Sequence, residues 1–151
     1  MKIHVQNRQR AVPVDLAWLR RFAEVALEKC ARESADGRFA LAQLDEVEVA
    51  IVSDRVIARV HRDFMGIPGA TDVITFAHGE IVMSAQTAQS YARDHGHPTA
   101  RELALYTVHG LLHLNGYEDS TARAAARMHR TQDRVLRACI ALLPPPLIPT
   151  P

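Results

Sequence analysis

The sequence predicts an α/β (α+β) domain in which a small mixed sheet of about four strands packs against helices. Two observations carry this. Short runs alternate apolar and polar residues at strand spacing, and longer runs repeat apolar residues at i, i+3, i+4 and i+7. In chain order they read βαβαββααα, with the strands early and three helices gathered at the end.

Residues 2–6 form the first strand of this reading. Pro13 and Asp15 then open an amphipathic helix whose inward set is Leu19, Phe22, Ala23, Ala26 and Cys30. Val47, Val49 and Ile51 alternate with Glu46 and Glu48, the pattern of a half-buried strand. Ser53 or Asp54 caps a second helix, expected to turn Val56, Ile57, Val60 and Phe64 inward. Met65–Ala70 (MGIPGA) is a loop by its Gly and Pro content. TDVITF and GEIVMS read as two strands joined through a very short connection at Ala77–His78. Helices follow near 85–95, 99–114 and 120–142. The final PPPLIPTP (144–151) cannot continue a helix and reads as a frayed or extended tail, leaving one domain over 1–143.

Composition narrows the class. With 151 residues, 48% hydrophobic and 23% charged, the chain can bury one ordinary core, and no apolar run is long enough to cross a bilayer. MKIHVQNRQR is not followed by the apolar stretch of a signal peptide. Cys30 and Cys139 fall at apolar helical positions and read as reduced core thiols, so a cytoplasmic protein is expected. The net charge of +1 announces no nucleic acid; contact with one has to come from local clusters.

The helix over 99–114 carries the chemistry. His109 and His113 are four residues apart, so both imidazoles leave one helix face a turn apart, as two ligands of one ion must. The continuation reads H-x-x-x-H-x-x-G-x-x-D. Gly116 stops the helix and lets the chain reverse, which brings Asp119 back toward the same ion. Metzincins use this spacing for zinc. Those enzymes place a general-base glutamate after the first histidine, where this chain has Gly110, which argues against peptide hydrolysis. Thr99 and Glu102 match a capping box, a structural task for that glutamate.

VHGLLHLNGYED resembles the HGxLHLxGYDH signature of the YbeY family, metal-dependent endoribonucleases of bacterial rRNA maturation. TDVITF is similar to that family's TDVLSF strand and GEIVMS to its GDIxIS strand, in the same order, so the resemblance spans Val47 to Asp119. It implies a zinc ion (Zn2+) on a zincin-like helix, and cleavage of single-stranded RNA by a water on the metal. It also implies a 16S rRNA precursor as substrate and the small ribosomal subunit as partner, with neither membrane nor DNA involved. Two positions depart from the family. Asp119 stands where the family has a third histidine, and Met65 where it has an arginine. Asp119 remains an acceptable zinc ligand. Glu118 and His78 are the other candidates to complete the site.

Arginine lies in two stripes. Arg55, Arg59 and Arg62 line the second helix, and Arg62 is the candidate to replace the missing loop arginine. Arg123, Arg127, Arg130, Arg134 and Arg137 line the last helix, as an RNA-facing or simply solvated face. Two rivals to an endoribonuclease stay open: a metallopeptidase, and a ribosome-associated metal-binding module with weak or no catalysis.

Overall fold

Strand β1 (Lys2–Asn7) leads through α1 (Leu16–Ala31) and a 3₁₀ turn (Leu41–Gln43) to β2 (Glu46–Val52). Helix α2 (Asp54–Met65), the hairpin β3 (Val73–Phe76) and β4 (Glu80–Ser84), and helices α3 (Ala85–His95), α4 (Thr99–Leu114) and α5 (Ala122–Ala141) complete the order. The structure is a computed structural model that describes residues 1–147. The sheet has the order β1-β2-β4-β3. β1, β2 and β4 run parallel and β3 antiparallel, so the expected mixed sheet of four strands is present.

Strand periodicity divides the helices between the two faces. Val47, Val49, Ile51, Ile81 and Met83 point into the main core with α1, α4 and α5, where Trp18, Phe22, Leu111 and Met128 are buried. The alternate residues Ala50, Val52, Ile74 and Val82 face α2 and form a small second cluster around Ile57. Local chemistry sets the helix starts. Asp15 accepts from the Trp18 N–H, Ser53 from Val56, Ser84 from Thr87 and Thr121 from Ala124, each satisfying an end donor.

Two expectations need correction. Helix α2 packs on the sheet through Ile57, its one buried residue; Val56 is 36% exposed, and Phe64, 71% exposed, meets the sheet only edge-on at the Phe76 ring, 5.4 Å away. Helix α4 is entered from Pro98 without a side-chain cap, and Glu102 instead bonds His97 Nε2 at 2.8 Å, so there is no capping box. Of the expected frayed or extended tail, the described part is non-helical and is tied back to the start of α1. Pro144 O accepts from Trp18 Nε1 at 2.7 Å, and Leu147 N donates to Asp15 Oδ2 at 2.8 Å. Residues 148–151 of the expected tail lie outside the described residues.

Candidate metal centre

Helix α4 is gripped along its length, and this grip aims its histidines. At Gly110 the helix lies close against the sheet. A Cβ there would meet Ile81 Cδ1 at 2.7 Å and its Cγ atoms at 3.0 Å, and Ile81 is fully buried. Position 110 therefore faces the sheet, and His109 and His113 emerge on the flank toward β3. The helix ends at Asn115, itself fully buried. Its amide nitrogen donates to Cys30 O (2.8 Å) and Glu33 O (3.1 Å), and its Oδ1 accepts from Leu41 N (3.2 Å). Gly116 follows at φ 97°, the left-handed turn that glycine adopts without strain. Tyr117 N returns to Leu112 O, and the chain then runs back along the helix to Asp119.

The reversal brings three ligand atoms together. His109 Nε2 and His113 Nε2 lie 3.0 Å apart, and each is 3.6 Å from Asp119 Oδ2. A tetrahedral zinc with bonds of about 2.05 Å holds its ligands about 3.3 Å apart, and the observed spacings bracket that value. The outer nitrogens decide the tautomers. His113 Nδ1 donates to Tyr117 O at 2.9 Å, and His109 Nδ1 to Gln132 Oε1 at 2.8 Å. Both inner nitrogens then present lone pairs to each other, an arrangement that repels unless a cation lies between them. Burial holds the His109 imidazole below its ordinary pKa, with His113 adding to the effect; the Gln132 hydrogen bond and Asp119 oppose it. The group is thus able to hold a metal ion. It lies in a cleft of about 570 Å³ bounded by the edge strand β3 (Val73, Thr75), the end of α2 (His61, Met65) and the Gly116 turn.

The sequence profile of the family described as Endoribonuclease YbeY matches residues 4–139. The chain belongs to that family. It is 32% identical over 155 residues to the Endoribonuclease YbeY of Moorella thermoacetica, covering 90% of this chain and 96% of the relative. To the protein of that name from Symbiobacterium thermophilum it is 31% identical over 156 residues, with the same coverage. A protein of that name from Chloroflexus aurantiacus is 35% identical over 114 residues, covering 64% of this chain and 74% of the relative. The solution structure of TM1509 from Thermotoga maritima superposes with a TM-score of 0.64 at 22% identity, covering 93% of this chain and 90% of that one, a likeness of fold.

In this YbeY-family chain the structure also separates the other candidates. Met65 lines the cleft. Arg62 does not line it: its guanidinium turns to Asp63 at 3.3 Å, and the cleft-lining residue of that helix turn is His61, held by Gly69 O at 3.0 Å. Arg55 and Arg59 are exposed along α2. His78 stacks on Phe76 and lies 3.6 Å from Glu80, away from the cleft, and Glu118 is exposed outside the ligand group. On α5, two of the five stripe arginines have structural tasks. Arg134 pairs with Glu33 at 2.7 Å, which holds that carboxyl below the usual carboxylate range. Arg127 bonds Ala35 O and lies over the Tyr117 ring. Cys30 and Cys139 are free and buried. Burial pushes both thiols up, Cys139 to about 11, so neither is a thiolate near neutrality.

Gln132 and His61 are the site residues that sequence reasoning missed. Gln132 had a signal: it is a polar residue at the inward phase of α5, between Met128 and Val135. His61 had none, because its role depends on where the loop after α2 folds.

Proposed function

We propose that this chain is a metal-dependent endoribonuclease that hydrolyses phosphodiester bonds in single-stranded RNA, with zinc as its ion. In this reading the substrate is the 3′ region of the 16S rRNA precursor on the small ribosomal subunit, in the cytoplasm. The observation that carries the metal is the pair of Nε2 atoms facing each other at 3.0 Å beside Asp119, with both Nδ1 atoms bonded outward to oxygen. The relatives' name carries the RNA. His109, His113 and Asp119 hold the ion, Gln132 and the Tyr117 carbonyl orient the imidazoles, and His61 faces the substrate from the opposite wall. Arg55, Arg59 and Arg62, exposed on α2, meet RNA phosphates outside the cleft. When bound, the ion would supply Lewis acidity toward a phosphoryl oxygen and a water, and the anionic Asp119 would moderate it by lowering the charge of the centre.

The test is zinc content and RNA cleavage, with and without chelator, for the native chain, Asp119→Ala and Asp119→His. The native chain cuts and stops cutting when chelated. Asp119→Ala loses metal and activity together, whereas Asp119→His keeps the metal and gains activity at lower pH. Chelator-resistant cleavage, or full metal content in Asp119→Ala, overturns the assignment.

One observation favours a second reading, a ribosome-associated metal-binding module with weak or no catalysis: the lining of the cleft contains Met65 and neither Lys nor Arg. Metal binding without cleavage, with cleavage gained in Met65→Arg, supports that reading. The metallopeptidase reading is weakened further by Gly110, since a glutamate there points into Ile81 and not toward the ligand group.

A further inference from the structure

The ligand group stands between two depressions. Besides the cleft along β3, a smaller one of about 270 Å³ lies on the outer-nitrogen side of His109, between α3, α4, α5 and the start of β3. Val73 and His109 line both, so they form a saddle between them. A polymer with a phosphate at the ligand group has a residue on either side of that phosphate. A strand crossing the saddle therefore lays one residue toward the smaller depression.

We propose that this smaller depression is a nucleobase subsite that takes the base beside the bound phosphate and prefers cytosine or adenine over uracil. The proposal rests on the RNA reading above and specifies its substrate. Size is the first argument: the volume is below the roughly 300–1,000 Å³ of pockets that take a whole drug-sized ligand, and suits a single ring system. Charge is the second. The lining includes the carboxylates of Asp72 and Glu102, the imidazoles of His109 and His129, and neither Lys nor Arg, so at neutral pH its fixed charge is negative, which disfavours a phosphate and favours N–H donors.

Rigidity is the third argument. The Glu102 side chain is 3% exposed and fixed by His97 at 2.8 Å, and Gln132 Oε1 is engaged by His109, which leaves the Gln132 amide N–H groups to donate. Fixed acceptors beside a fixed donor match the edges of cytosine and adenine, where an amino donor adjoins a ring-nitrogen acceptor. Uracil presents a carbonyl in place of the amino group and meets the carboxylates unfavourably. Aromatic surface is the fourth. The Tyr91 ring, 48% exposed, is backed by His95 at 3.9 Å and 12°, a supported face of the kind on which unpaired bases stack.

Mononucleotides test this without any cleavage, because each offers a phosphate to the metal and a base to the subsite. Calorimetric titration of the zinc-loaded chain compares CMP, AMP, UMP and ribose 5-phosphate. CMP and AMP are expected to bind about tenfold more tightly than UMP and ribose 5-phosphate, within the range of one stacked or paired base. Tyr91→Ala removes the exposed ring. Asp72→Asn keeps the acceptor for the Val73 N–H and removes the charge. Each variant should reduce the base preference at least threefold and leave ribose 5-phosphate binding unchanged. Equal affinity for all four ligands in the native chain overturns the subsite, as does a preference that survives in both variants. Base preference in a chain that cuts no RNA would leave the subsite standing and overturn the endoribonuclease reading instead.

Discussion

Helix α4 buries eleven of its sixteen residues, whereas α2 buries one of its twelve. Both border the same cleft, α4 with His109 and His113 and α2 with His61 and Met65. The ligand-bearing wall is thus set by core packing, and the opposite wall rests on Ile57 and a small cluster around it. The contrast is that a metal needs ligand atoms placed within tenths of an ångström, while a polymer surface tolerates a wall that adjusts.

If that contrast is right, damage to the two walls must differ in kind. The largest effect is expected from His113→Ala, which leaves two ligands. Elemental analysis should find metal content near zero while the far-UV circular dichroism stays native; retained metal would break the comparison at its centre. Gly110→Glu comes next. It forces a carboxylate against buried Ile81 and should destabilise the fold by about 3 kcal/mol or more in denaturant titration, with no peptidase activity gained.

A milder loss is expected from Gln132→Leu, which removes the hydrogen bond on His109 Nδ1 and should weaken zinc binding roughly 10- to 100-fold in chelator competition. Unchanged affinity would show that Gln132 packs without orienting. The smallest effect belongs to α2. Phe64→Ser, at a side chain 71% exposed that meets only the edge of the Phe76 ring, should cost no more than about 1 kcal/mol, and a larger loss would mean that α2 is held more firmly than its burial suggests.

The same contrast explains which features were legible. His109, His113, Gly116 and Asp119 lie within eleven residues, and helix period plus one glycine turn suffice to bring them together. The element order and the mixed sheet could be read because strand and helix periods are local properties. Phe64 departs from the expectation because periodicity identifies an apolar face, not how fully it is covered: only the edge contact with Phe76 meets its ring. Glu102 was misread because its partner, His97, competes with the backbone for its carboxylate. Gln132 was passed over because the residue it serves is 23 positions away on another helix. Arg62 was placed by helix phase alone, which does not reveal that Asp63 engages it.

The Asn115 side chain bears on the order in which this site is assembled. Its partners lie 85, 82 and 74 residues earlier in the chain, so these bonds close only after α1 and the segment following it have docked. Such closures are late and slow events in folding. The turn carrying Asp119 should therefore open only together with the α1–α4 contact. Amide exchange at Asn115 and Tyr117, whose N–H groups bond within this turn, should be as slow as that of the core helices even without metal. The metal then meets a site already assembled, and the ordering of the loop is settled by folding before any ion arrives.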